Sequence, residues 1–127
     1  MRWFLVLALS VLTMSAMANP VGVVRPCFDK PTTGQMMVTS WYSIHSSGTH
    51  TADGKRFDDR KLTAAHRTLP FGTKLRVTNP RTGVMVIVTV NDRGPFIRGR
   101  QLDLSRGAAE ALGILQTGVA SVYVEIC

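Results

Sequence analysis

The chain has 127 residues, with 15 Lys and Arg against 8 Asp and Glu, a formal charge of +7. This is the length of one ordinary domain rather than two, and the basic balance favours anionic partners such as nucleic acid, lipid headgroups or an acidic polysaccharide. The cations are scattered without a dense run, so nucleic acid is not expected as a partner, and a merely solvated basic surface reads equally well.

Met1-Arg2 places a positive charge ahead of a nearly unbroken apolar run, Trp3 to Thr13, and Ala16-Met17-Ala18 then supplies small residues at the two positions a signal peptidase reads. The run is too short to span a bilayer and a cleavage site follows it, so residues 1–18 read as a removable secretory signal rather than a retained anchor. Cleavage after Ala18 leaves 109 residues of charge +6, because Arg2 is the only charged residue removed. Cys27 sits behind Arg25-Pro26 without the small residue that precedes a lipidated cysteine, so no lipid anchor is expected there. With no second apolar span, the mature chain is expected to be a soluble monomer of the periplasm or cell envelope, without a membrane anchor.

Residues 19–33 carry Pro20, Pro26 and Pro31 and read as an extended arm leading into a domain over 34–127. Cys27 and Cys127 lie near the two ends of the mature chain, and an oxidising compartment favours a bridge between them. A loop of that length would contribute up to about 4–5 kcal/mol by restricting the unfolded chain. Two cysteines alone leave open whether they pair or stay as thiols.

Gln35 to Trp41 reads as a strand and Ser43 to Thr51 as a polar loop. Thr51-Ala52-Asp53-Gly54 ends in an Asp-Gly turn signal. After the Pro70-Phe71-Gly72 turn, Lys74 to Thr78 alternates polar and apolar as a half-buried strand does, and Asn79 to Gly83 starts a hairpin. Val84 to Val90 is apolar at every position but Thr89, which suits a strand buried on both faces; Asn91 to Gly94 breaks it sharply. A short strand resumes at Gln101-Leu102. Ser105 is a good N-cap for a helix over Arg106 to Leu112 that stops at Gly113, and Ala120 to Ile126 is a last strand. Short strands, close turns and one or two brief helices argue for a small, mostly β barrel.

Asp92 falls where the valine-rich strand emerges into a Gly-Pro loop, a usual place for a catalytic group. A carboxyl there can be half-desolvated and hold a proton to donate, although capping its own turn explains an Asp equally well. His66, between apolar residues, fits a core or turn histidine better than a functional one. Asp103, just ahead of the helix, has stabilisation of the helix N-terminus as its plain explanation. His45, His50 and His66 lack zinc-like spacing to acids or cysteines, and no phosphate loop or Gly-x-Ser-x-Gly elbow occurs, so no metal, cofactor or serine triad is expected.

Thr63-Ala64-Ala65-His66-Arg67-Thr68-Leu69-Pro70-Phe71-Gly72-Thr73, Asn91-Asp92-Arg93-Gly94-Pro95-Phe96, and Asp103-Leu104-Ser105 with Ala108-Ala109 and Leu112-Gly113 resemble the rare-lipoprotein-A family of septal-ring lytic transglycosylases. Trp41-Tyr42 and Thr51-Ala52-Asp53-Gly54 resemble its opening motif. The resemblance covers residues 38–126 in order and implies a six-stranded double-psi β-barrel, a fold shared with expansins. It implies non-hydrolytic cleavage of the β-1,4 bond between N-acetylmuramic acid (MurNAc) and N-acetylglucosamine (GlcNAc) in peptidoglycan strands, giving a 1,6-anhydro sugar. Asp92 and His66 occupy the positions tied to activity. Asp92 would protonate the leaving oxygen, it or a paired base would then take a proton from the muramoyl 6-hydroxyl, and His66 would orient Asp92 or tune its proton affinity. Asp103, Asp58, Trp41, Tyr42, Arg93 and Phe96 would support the site or bind substrate.

Lys55 stands where many relatives carry a glutamate, Ser43 replaces a glycine, and Asp58 keeps the acid after the aromatic Phe57. The reading expects neither the lipoprotein cysteine nor the C-terminal glycan-binding repeat domain that many members use to reach the septum. Against the enzyme stand two other readings: a non-catalytic, expansin-like glycan-binding module, and a small secreted effector or inhibitor on the same barrel.

Overall fold

The computed structural model describes Cys27 and residues 33–127; the expected signal over 1–18 and most of the arm over 19–33 lie outside the described residues. The strands are β1 (Gln35–Tyr42), β2 (Thr63–His66), β3 (Lys74–Thr78), β4 (Met85–Asp92), β5 (Leu102–Ser105) and β6 (Ala120–Ile126), and the helices are α1 (Ile44–Ser47) and α2 (Arg106–Leu112). The six strands close into a barrel in the order β1-β5-β2-β4-β3-β6. The pairs β1–β5 and β2–β4 are parallel and the remaining four are antiparallel. This is the small, mostly β barrel expected from the sequence.

Alternation decides which side chains fill the barrel. Leu75 and Val77 of β3, Val86, Val88 and Val90 of β4, Leu102 and Leu104 of β5, and Val122 and Val124 of β6 point inward into one core. Strand β4 therefore differs from expectation. It is not buried on both faces: Met85 is exposed while Ile87 and Thr89 are half-buried, as expected of a barrel strand that turns alternate side chains outward. Nor does it break at Asn91; the strand runs on to Asp92.

Helix α2 follows expectation closely. Ser105 Oγ accepts from the Ala108 amide at 3.2 Å, Gly113 ends the helix with φ 78°, and Ala108, Ala109 and Leu112 pack on the core. Gly107 has a separate constraint. Its amide donates to the Asp59 carbonyl at 2.7 Å, and a Cβ at this position would lie 2.3 Å from the Arg60 carbonyl oxygen.

Three local features depart from the sequence reading. The polar segment expected as a loop after Ser43 contains the single turn α1, where Ser46 Oγ accepts from the Ser43 amide at 2.9 Å. The strand expected at Gln101-Leu102 starts one residue later and extends to Ser105. The Thr63–His66 motif is itself a strand.

Cys27 and Cys127 form a disulfide across 100 residues of chain, with Cα atoms 4.7 Å apart. A bidentate Arg76–Glu125 pair reinforces this edge, and Arg76 Nη1 also donates to the Cys27 carbonyl. No helix among the described residues is long and apolar enough to cross a membrane.

Candidate active site

On the outer face of the barrel one register row crosses four strands: Ser40 of β1 pairs with Asp103 of β5, Asp103 with Ala65 of β2, and Ala65 with Asp92 of β4. The last pairing depends on a bulge. Ala64 opposes Val90 but Ala65 opposes Asp92, so Asn91 is the extra residue. Without the bulge, the alternation that sends Val90 inward would send Asp92 inward too. One inserted residue re-aims the carboxylate to the outside, a known use of bulges beside functional sites.

Three donors converge on Asp92. The Ala52 and Arg93 amides each reach Oδ1 at 2.9 Å, and the Tyr42 hydroxyl donates to Oδ2 at 3.3 Å. The Arg93 amide bond is the local turn contact the sequence allowed for, while Ala52 and Tyr42 come from 40 and 50 residues away. Tyr42 follows Ser40 by two residues and so shares its face. Its ring stacks on Phe57, with centroids 4.7 Å apart and planes 13° from parallel, and both cluster with Ala65. Burial, reinforced by Asp92 and Asp103, drives the Tyr42 hydroxyl far above the ordinary tyrosine value, so it stays a neutral donor.

Asp103 does not serve the helix N-terminus; Ser105 does that. Asp103 lies on β5, where Ser40 Oγ donates to its Oδ1 at 3.0 Å. Its pKa is pushed up to about 6, chiefly by burial and further by Asp92, with Ser40 and Arg100 pulling the other way.

His66 ends β2, and its bonds run to its own turn: Nδ1 accepts from the Thr68 amide at 3.2 Å and the Leu69 amide at 3.1 Å. Both donors address Nδ1, so the neutral ring carries its proton on Nε2. Burial, then Arg93 and Arg67, holds His66 below the ordinary histidine value. Its connection to Asp92 passes through Arg93, which donates to the His66 carbonyl at 3.2 Å and the Leu69 carbonyl at 2.8 Å and lies 4.0 Å over the Phe71 ring.

The other expected site residues are dispersed. Trp41 faces the core side, and its Nε1 donates to the Leu115 carbonyl at 3.1 Å, which makes it a packing residue. Asp58 is tied to Arg60, which holds its carboxyl below the usual range. It lines an open cavity of about 520 Å³ with Ile44, Arg56, Phe57, Asp59 and Lys61. Phe96 is 80% exposed at the tip of the 94–100 loop. Arg67 fastens that loop by donating to the Pro95, Ile97 and Arg100 carbonyls at 2.7, 3.0 and 2.7 Å. Ser40 and Arg67 were not singled out from the sequence. Ser40 was within reach, since it shares the face of Tyr42; the role of Arg67 depends on carbonyls some 30 residues away.

Among the described residues no cluster of His, Cys, Asp or Glu could hold a metal ion. The arrangement sets two part-buried carboxyls on one outer row of the barrel with a neutral phenol beside them, a set of groups suited to proton transfer.

The closed six-stranded barrel with its two parallel strand pairs is a double-psi β-barrel. Residues 35–124 match the model of the lytic transglycolase family, and the chain belongs to that family. It is 55% identical over 89 residues to the probable endolytic peptidoglycan transglycosylase RlpA of Synechocystis, covering 70% of this chain and 28% of the relative. It is 44% identical over 115 residues to the endolytic peptidoglycan transglycosylase RlpA of Pseudomonas aeruginosa, covering 87% and 34%. The chain thus spans about a third of the length of these relatives. Among solved structures, the Streptomyces papain inhibitor superposes with a TM-score of 0.61 at 20% identity, over 76% of this chain and 96% of that one. An expansin of Clavibacter michiganensis gives 0.59 at 23% identity, over 75% and 50%. At such identities these two likenesses show the fold alone.

Proposed function

We propose that this domain is an endolytic peptidoglycan lytic transglycosylase acting on glycan strands stripped of peptides. The observation that carries the proposal is Asp92, turned outward by the Asn91 bulge and held by three donors on the outer face of a lytic transglycolase-family barrel. In the reaction the bond from MurNAc C1 to GlcNAc O4 breaks and O4 gains a proton. The 6-hydroxyl oxygen of the same MurNAc closes on C1 and releases its proton, and no water is consumed. Asp92 is the carboxylate at the reacting bond; in the simplest form it gives the first proton and receives the second. His66 keeps the 66–72 turn in place beneath Arg93, and Phe96 offers a sugar-stacking face. The chain acts after export and removal of residues 1–18, as a monomer in the cell envelope without a membrane anchor.

The test is incubation of the purified domain with peptide-free glycan strands, beside an Asp92→Asn variant, and mass analysis of the soluble products. Anhydro-ended products from the wild type and none from the variant are expected. The second reading, an expansin-like binding module, draws on Lys55, the cation on the turn whose Ala52 amide holds Asp92. Strands bound but left uncut by both proteins would select it.

A further inference from the structure

We propose that Asp103 is a second catalytic carboxyl, which protonates the leaving oxygen while Asp92 takes the proton from the attacking hydroxyl. The assignment rests on the lytic transglycosylase reading and divides its two proton transfers between two groups.

The geometry is that of a pair. Asp103 and Asp92 stand on one outer row, two strands apart with Ala65 between them. Inter-strand spacing puts their backbones about 10 Å apart. Carboxyls at wide separation leave room for a nucleophile between them, and a closer pair would not. Here the nucleophile is the substrate's own 6-hydroxyl. Ala65, the small residue between them, packs against Tyr42, whose hydroxyl lies in the field of both carboxyls.

The two groups are furnished differently. Asp92 receives two amides and a phenol, so both of its oxygens already accept hydrogen bonds. Asp103 accepts a single bond among the described residues, from Ser40 to Oδ1, and Oδ2 is left to carry a proton. The groups facing Asp103 are Ser40 and Tyr42 from β1, Asp92 from β4 and Arg100 from the preceding loop, while β2 contributes only Ala65. Burial then keeps Asp103 protonated up to about pH 6. The balance closes: O4 takes the Asp103 proton as C1–O4 breaks, C1–O6 forms, the O6 proton moves to Asp92, and solvent returns it to Asp103.

A substrate that needs no acid separates the roles. A short glycan ending in MurNAc, with 4-nitrophenol on C1, loses its leaving group without protonation. Asp103→Asn is expected to cut cleavage of peptide-free strands at least about 100-fold while keeping nitrophenol release within about tenfold of wild type. Asp92→Asn is expected to lose both. The wild-type rate on strands should fall above about pH 6, a limb missing with the nitrophenyl substrate. Ser40→Ala should move that limb to higher pH by removing a donor to the charged form. Unimpaired strand cleavage by Asp103→Asn, equal loss on both substrates in a folded variant that still binds strands, or a limb that Ser40→Ala leaves in place would each overturn the assignment. A wild type inactive on both substrates would overturn the lytic reading itself, whereas an inactive Asp92→Asn beside an active Asp103→Asn overturns only this one.

Discussion

A carboxyl that burial keeps protonated costs the fold something once it ionises, and Asp103 makes that cost measurable. Its value is about 6 in the folded chain against an ordinary 3.8. Between those values the folded state binds more protons than the unfolded state, so stability falls as pH rises through that window. Above about pH 6 the ionised group costs about 1 to 2 kcal/mol, after discounting for its partial contact with solvent. Asp103→Asn should therefore raise the melting temperature at pH 7.5 by several degrees and leave it nearly unchanged at pH 4, where wild-type Asp103 is already neutral. Thermal denaturation at the two pH values checks this. An equal gain at both would mean that the burial of Asp103, rather than its charge, governs the effect. Asp92 was legible as a candidate from its place at a strand exit. Its partners were not, because Tyr42 and Ala52 reach it from 50 and 40 residues away.

At the level of elements, the features written in local chemistry were the readable ones. The cap at Ser105, the stop at Gly113 and the alternation over Lys74–Thr78 each state a backbone conformation within a few residues. The Asn91 bulge does not, since it exists only relative to β2. Helix α1 is a single turn, too short to show a period. Gly107 is similar: nothing in its neighbourhood says why it is glycine, and the reason is the Asp59-Arg60 backbone pressed against the first turn of α2. Its amide bond to Asp59 joins α2 to the segment that leads from the Phe57 stack into β2. Gly107→Ala should force these backbones apart and destabilise the domain by at least about 2 kcal/mol, read as a lower urea midpoint. Unchanged stability would show that the 59–60 segment yields without cost.

For the whole molecule, strand order was the least legible property. Only the β3–β4 hairpin joins strands that follow one another in sequence; every other neighbour is brought in by a crossover or by barrel closure, and local patterns carry no record of that. The order has a consequence for how stability and chemistry are divided. The candidate site takes its side chains from β1, β2, β4 and β5. The disulfide joins the end of β6 to Cys27 beside β3, where the Cys127 amide donates to the Lys74 carbonyl and Arg76 holds Glu125 and the Cys27 carbonyl. The staple therefore acts on the side of the barrel, β3 and β6, that supplies no strand to this row. Its effect comes mainly from shortening the excursions of an unfolded chain closed over 100 residues, so a Cys27→Ser/Cys127→Ser variant should lose about 2–5 kcal/mol of stability. Below its lowered melting temperature the same variant should cleave glycan strands at the wild-type rate. Denaturant titration and product analysis on one preparation check both halves. A folded variant with reduced cleavage would mean that the β3–β6 edge transmits its order to the candidate site, and the barrel would have to be treated as one mechanical unit rather than a stapled half and a catalytic half.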